Sequence, residues 1–456
     1  MSGRSIKEFL QNRPIYYKKI DYERFPRAYA AIKDKIPLKN VIQIIGTNGK
    51  GSTGRFLANA IAEAGFSVGH YTSPHVFKLN ERIYLAGPTD KRLNSRELNL
   101  DHNSKLCLNL NCGSDELNFI CDSNSPSKPN LNQSSSELAK QNFRCAPIGR
   151  DVSDVQLQRA HEFLQESLPA EFKDSLSYFE YLTLAAAVLF RDCDYCVIEA
   201  GMGGEFDATS SFGRTLSLFT PIGTDHLGML GQNLEQIAHT KLIMMDKEAI
   251  LSDEMSEVPL RIAQQIAEQK GTHLRFATEL LSKSEQAQIA EFCAHNNLPK
   301  FQISNLALAL AAMKFLNLKF EISQLPPLNL RGRMEALAPN LRVDVGHNEL
   351  AAQQVAREIT EIYGGKKIVL IYNAFADKDV AAVLRTLAPV VERVEIFNYE
   401  VADREMAAEA ITRALDALKI PHSPFRGELR ADEEYLVFGS FHLVENFILW
   451  LEARRG

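Results

Sequence analysis

Two consecutive α/β units, the first built on a mainly parallel sheet, are what this chain of 456 residues predicts. A β-branched run, Val41-Ile42-Gln43-Ile44-Ile45, leads straight into a glycine-rich turn and a helix. Short apolar runs then alternate with helical stretches over 41–219, and the same alternation restarts after the polar stretch Asn296-Asn297-Leu298-Pro299. Parallel strands are written this way because each needs a crossover helix to bring the chain back to the same edge. Length agrees, since one hydrophobic core stops growing near ~250–300 residues. With 45% apolar and 24% charged residues, there is material for a core in each unit.

The elements follow in order. Residues 1–19 lack the apolar centre of a signal peptide and no apolar run reaches about 18 residues, so a cytoplasmic protein that enters no membrane is expected. After the strand at 41–45, Phe56, Leu57, Ala60, Ile61 and Ala64 recur at helical spacing on one side, predicting an amphipathic helix. A short strand is expected at 68–71. Residues from about 88 to 146 are rich in Asn, Ser, Leu, Lys and Asp and keep neither period, which predicts a loop-like insertion dispensable for chemistry. A helix over 176–190 and strands over 195–199 and 216–221 resume the pattern, and helical segments dominate from there to 297. The second unit, 298–456, opens with an amphipathic helix over 304–316. Strands at 341–345, 367–372, 394–397 and 435–438 follow, with a last helix over 443–453.

Charge and cysteines narrow the function. A net charge of −6 supplies no basic field for nucleic acid. The seven cysteines are an odd number, against a secreted disulfide framework. Cys193-x-x-Cys196 has no second pair at zinc spacing and runs into the apolar strand, so it reads as a reduced, partly buried thiol pair. Cys107, Cys112, Cys121 and Cys145 sit in the insertion at irregular spacings, which argues against a metal knuckle.

The turn Gly46-Thr47-Asn48-Gly49-Lys50-Gly51-Ser52-Thr53 is a phosphate cradle in chemical terms. Glycines let successive backbone N–H groups converge on an anion, the helix N-terminus adds its dipole, and Lys50 lies along the terminal phosphates. The spacing departs from G-x-x-x-x-G-K-[ST], because Ile44 holds the first glycine's place and Gly51 separates Lys50 from Ser52. Four more clusters fall at the ends of predicted strands, where open α/β sheets hold their ligands. They are Thr72-Ser73-Pro74-His75; Glu199 with the glycines up to Gly204; Gly223-Thr224-Asp225-His226 with Lys241 on the next helix; and Arg331-Gly332-Arg333 with Asp344 to Asn348. A buried strand-end carboxylate such as Glu199 is costly unless paired or bound to a cation. Each cluster has an ordinary reading too: a turn, a solvated lysine, or a helix cap at Asn348. Their convergence on one sheet edge favours Glu199 and His226 as metal-site residues.

Gly46 to Ser52, Thr72 to His75, Leu176-Ser177-Tyr178-Phe179-Glu180, Glu199 to Thr209 and Asp344 to Asn348 together resemble the folylpolyglutamate synthase/dihydrofolate synthase family, a branch of the Mur ligase superfamily. The resemblance covers nearly the whole chain except the insertion. Gly51-Ser52 separates it from the Mur ligases proper, whose loops usually read Lys-Thr there.

The resemblance implies an N-terminal P-loop-type ATPase domain, 1–297, facing a smaller Rossmann-like ligase domain, 298–456, in a monomer. It implies that Gly49, Lys50, Gly51 and Ser52 hold the ATP phosphates, with Asn305, Arg333 and Asp344 completing the nucleotide site. Ser73, Glu199 and His226 are the implied magnesium ligands. Lys241 matches a lysine that is carbamylated in the family, its added carboxylate helping a second magnesium ion. Ser177, Phe206, Asp207 and Ala208 match pterin contacts, and Lys50, Lys241 and His347 are the catalytic candidates. The implied substrates are ATP, L-glutamate and dihydropteroate or a reduced folate, joined through an acyl phosphate. Departures are Ser177 for the usual Thr, Glu205 where Arg is common, Glu349 for Pro, and Leu242 after Lys241 in place of Ala-Gly. Glu205 sets a negative charge beside the substrate loop, against acidic polyglutamate tails. The competing readings are a Mur-type peptidoglycan ligase and a non-catalytic nucleotide-binding protein, the latter marked by a lost lysine or metal ligand; no such loss is seen.

Overall fold

A computed structural model describes residues 4–14, 21–87, 98–99, 107–108, 149–401 and 404–455. Its strands are β1 (Val41–Ile45), β2 (Val68–Tyr71), β3 (Ile83–Ala86), β4 (Leu98–Asn99), β5 (Cys107–Leu108), β6 (Gly149–Asp151), β7 (Tyr195–Glu199), β8 (Leu216–Phe219), β9 (Glu248–Leu251), β10 (His273–Phe276), β11 (Glu335–Ala338), β12 (Leu341–Asp344), β13 (Ile368–Tyr372), β14 (Val391–Ile396), β15 (His422–Pro424) and β16 (Tyr435–Phe438). The first sheet runs β10-β9-β8-β1-β7-β2-β3-β6 and the second β11-β12-β16-β13-β14-β15. Pairing is parallel except for β2 with β3, β3 with β6, and β11 with β12. The α/β class with a mainly parallel first sheet is as expected. β4 and β5 form a small antiparallel pair; the rest of the expected insertion, with the side chains of its four cysteines, lies outside the described residues.

β1 is the switch point of the first sheet. It pairs with β7 on one side and β8 on the other, in a register that sets Ile44 beside both Glu199 and Leu218. The connections after β1 and β8 therefore leave in opposite directions and open a crevice at the carboxyl ends of β1, β7 and β8. All five residues of β1 are buried, which is why apolar residues stand on both faces of the strand, with Gln43 the one polar exception, its amide donating to Thr209 Oγ1 at 2.8 Å.

Two helices expected to be amphipathic are buried nearly all round. In the Lys50–Glu63 helix, Gly51 to Ala62 are all buried, and in the Phe301–Phe315 helix so are Gln302 and Asn305 to Met313. They pack on each other, the first sandwiched between the sheet and the second, so neither keeps a solvent face to carry a polar stripe. Arg55, in the first helix, stacks 3.8 Å over the Tyr84 ring and donates to Asn329 at 2.9 Å. The division at 297/298 thus falls ahead of a helix whose core is that of the first sheet; Leu306 to Met313, Ile322 and Leu325 belong there too, and the second sheet's core begins with Met334.

Edge strands were the other difference. β9 and β10 extend the first sheet where helical segments were expected to dominate, and β11 and β15 flank the second. β10 and β15 are only partly buried, so their apolar signal is weak. Cys193 and Cys196 are free thiols and fully buried rather than partly so. Burial raises the Cys193 thiol well above its ordinary value and pushes that of Cys196 up to about 12, which disfavours the reactive thiolate. Among the described residues no helix is long and apolar enough to cross a membrane.

Candidate active site

The turn after β1 is shaped by two glycines that admit no side chain. A Cβ on Gly46 would sit 2.0 Å from Thr220 Oγ1, and one on Gly49, at φ +86°, would sit 2.3 Å from Asn305 Oδ1. The loop's backbone is thereby left bare toward the crevice, as anion binding requires. Gly49→Ala should weaken nucleotide binding at least about tenfold, because the left-handed backbone alone costs roughly 1–3 kcal/mol with a side chain. Calorimetric titration with a non-hydrolysable nucleotide reads this, and unchanged affinity would count against the loop as the nucleotide's seat.

Lys50 opens the helix, its Nζ donating to Gly46 O at 3.2 Å and Thr47 O at 3.1 Å. Facing it at 3.8 Å is Glu199 Oε1. Glu199 accepts from the Thr72 hydroxyl and, at 3.2 Å, from Ser73 N–H. Burial raises its carboxyl pKa and Lys50 opposes that. A carboxylate this buried, beside a hydroxyl at Ser73, is a hard-oxygen site suited to a divalent cation. His226 lines the same cleft, with its pKa lowered to about 4 by burial despite Asp225, so its imidazole stays neutral with a lone pair to offer. No group of three or more His, Cys, Asp or Glu side chains with metal-ligand geometry occurs among the described residues. His75 turns elsewhere, accepting from Arg82 Nε at 2.8 Å.

Lys241 is 2% exposed, and its Nζ donates to Gly46 O at 3.2 Å and to Met202 O. Burial, reinforced by Lys50, lowers its pKa to about 7.

The second sheet supplies the opposite wall. Arg333, Asp344, Val345, Gly346, His347 and Phe441 line a cleft together with Gly46 to Ser52, Ser73, Glu199, Asp225, His226, Lys241 and Asn305. Asp344 at the end of β12 accepts from Met334 N at 2.9 Å and Gly346 N at 2.7 Å. Burial raises its carboxyl pKa against the pull of Arg333, whose guanidinium lies 5.2 Å over the Phe441 ring. Asn348 serves both readings: it caps the Glu349–Ile362 helix by accepting from Ala351 N at 2.9 Å, and it exchanges two hydrogen bonds with Asn48 of the loop.

Ser177, Phe206, Asp207 and Ala208 stand apart from that cleft's lining. Ser177 caps the Tyr178–Phe190 helix in a capping box with Glu180, which Arg24 clamps. Asp207 accepts from Gly203 N and Thr209 N and leads into the short turn Ala208–Ser211. Phe206 is exposed and stacks on Tyr22 at 4.1 Å.

Three contributors escaped the sequence reading. Asp225 was seen only as part of a cluster, while Lys378 and Gln302, which donates to Ser52 Oγ at 3.2 Å, were not seen at all. Lys378 carries a signal in hindsight, since Asp377-Lys378-Asp379 follows a buried strand on the sheet edge that faces the cleft.

A scan against models of known protein families matched none. By sequence the chain is 26% identical over 474 residues to the dihydrofolate synthase/folylpolyglutamate synthase of Escherichia coli, covering 98% of this chain and 95% of that one. By structure it is similar to the folylpolyglutamate synthetase of Helicobacter pylori, at a TM-score of 0.68 and 34% identity over 99% of this chain and 100% of the other. The bifunctional folylpolyglutamate synthase/dihydrofolate synthase of Yersinia pestis in complex with AMPPNP and a manganese ion shares the fold at a TM-score of 0.70 and 20% identity, over 99% and 100% of the two chains.

Proposed function

The chain belongs to the folylpolyglutamate synthase family, and from that premise we propose that it is an ATP-dependent ligase joining L-glutamate to dihydropteroate, to reduced folates, or to both. One observation supports this most: a phosphate loop whose lysine faces a buried strand-end carboxylate lies directly under a second unit that brings an arginine, an aspartate and a histidine to the same cleft.

On this reading Gly49, Lys50, Gly51 and Ser52 cradle the phosphates, while Asn305, Arg333 and Asp344 hold the rest of the nucleotide. Ser73, Glu199 and His226 are the residues for magnesium, whose hard oxygen preference suits the first two; when bound it neutralises phosphate charge. Lys241 is read as carbamylated, supporting a second ion. The acid substrate lies toward Ser177, Phe206, Asp207 and Ala208, where Phe206 and Tyr22 offer exposed rings for a flat heterocycle.

The chemistry needs no protein nucleophile. An oxygen of the substrate carboxylate attacks the γ-phosphorus, ADP leaves, and the acyl phosphate forms. The glutamate amine then adds to the acyl carbon, inorganic phosphate departs, and the amine gives up a proton. Lys50 meets the charge that spreads over the transferring phosphoryl oxygens. The second unit keeps water from the acyl phosphate. His347, held at the cleft, is read as a partner of the incoming amino acid. On this reading the enzyme works as a monomer in the cytoplasm.

Release of ADP is the test, measured with dihydropteroate, tetrahydrofolate or a UDP-muramoyl peptide, each with L-glutamate. Release with either pterin acid and none with the peptide is expected. Release with the peptide alone, or with none of the three, overturns the reading.

A further inference from the structure

Asp225, in the connection after β8, uses all four lone-pair positions of its carboxylate. Oδ1 accepts from Lys378 Nζ at 2.8 Å and from His226 N at 2.8 Å. Oδ2 accepts from Asn348 Nδ2 at 3.0 Å and faces His347 Nε2 at 3.3 Å. Three of these four groups come from the second unit. Lys378 and Asp225 side chains are each 8% exposed, so their pairing is shielded from solvent. Lys378 itself stands behind the cleft wall, in the turn between β13 and the Val380–Leu387 helix.

His347 is gripped from both ring nitrogens, Nδ1 lying 3.1 Å from Val345 O and Nε2 against Asp225. Its orientation thus depends on where the Asp225 carboxylate sits, and that depends on Lys378, the lysine among the four partners, which the second sheet fixes. Asn348 ties the same carboxylate to Asn48 of the phosphate loop. A carboxylate this buried does not keep its place when its cation is removed; it takes up water or turns away.

We propose that Lys378 and Asp225 are positioning residues of the ligation reaction: their ion pair across the two units fixes the carboxylate that presents His347 to the cleft. The kinetic part rests on the ligase reading given above; the structural part does not.

Lys378→Met removes the ammonium at similar side-chain length. With pterin acid and glutamate saturating, kcat should fall about a hundredfold, the scale of an ångström-sized misplacement of a reacting group, while KM for ATP moves less than about threefold. Lys378→Arg, which keeps a cation in reach of Oδ1, should recover kcat to within about tenfold of the starting protein. Hydrogen–deuterium exchange with AMPPNP bound needs no turnover, and there the amides of residues 345–351 should exchange faster in Lys378→Met. Asp225→Asn/Lys378→Met removes both charges, so that no lone buried charge burdens the fold, and should match the single variant in kcat and in exchange. The proposal is overturned by wild-type kcat in Lys378→Met, by unchanged exchange at 345–351, or by a loss that tracks melting temperature and that Lys378→Arg does not restore. A wild-type protein without ligase activity refutes the proposed function and leaves the exchange measurement to judge the ion pair.

Discussion

Lys50→Ala should yield a folded protein whose ligation rate has dropped about 10²–10³-fold, the usual size of effect when one preorganised charge partner of a reacting group is removed. The fold should survive because Lys50 sits in the first turn of its helix, partly exposed, and gives up only two hydrogen bonds to loop carbonyls. Such loop contacts contribute about 1 kcal/mol each. Glu199 loses its nearest cation in this variant, and burial already raises its carboxyl pKa. What activity remains should therefore fall off at higher pH than in the wild type, as Glu199 takes up a proton more readily. ADP release across a pH series, with thermal melting as the fold control, tests both halves; near wild-type turnover would remove Lys50 from the chemistry.

Lys241→Ala should be nearly inactive and partly rescued by short carboxylic acids, while Lys241→Arg should stay inactive. Carbamylation joins the neutral amine to carbon dioxide and releases a proton, and a pKa lowered to about 7 by burial and by Lys50 keeps much of the amine neutral at physiological pH. A guanidinium offers no such nucleophile. The sign for stability follows from the same shift. Between about pH 7 and 10.5 the unfolded chain binds a proton that the folded chain does not. Lys241 therefore costs stability most below about pH 7, and that cost fades as pH rises toward 10.5. Replacing it by methionine should flatten this part of the stability profile. Full activity in the arginine variant would show that Lys241 serves as a fixed positive charge or not at all.

What the sequence made legible were the features set by local chemistry. The β1 run, the glycine turn and the strand-end clusters could be found because parallel strands are apolar throughout and ligands gather where they end. Asn348 was readable as a cap because capping is local. Tertiary packing was not readable in the same way. The 301–315 helix could not be assigned to the first unit, since being buried on every side gives no stripe to say which sheet it touches. β10 and β15 are short and half-wet, so their periodicity is faint. Asp225 and Lys378 lie 153 residues apart, and only the fold brings an aspartate after β8 to a lysine after β13.

The carbonyl oxygen of Gly46 accepts from both Lys50 and Lys241, each at 3.2 Å. Two like charges resting on one oxygen repel, and the side better able to shed its proton does so, which is part of why Lys241 is poised near neutrality. An arriving triphosphate reverses that field: it draws Lys50 forward and surrounds the lysine pair with negative charge, favouring the protonated amine and disfavouring a second anion beside it. On the proposed reading, the empty loop is thus the state in which Lys241 best captures carbon dioxide. A carbamylated Lys241 would then be formed before nucleotide binds, and a protein first loaded with nucleotide and only then given bicarbonate should start its work with a lag.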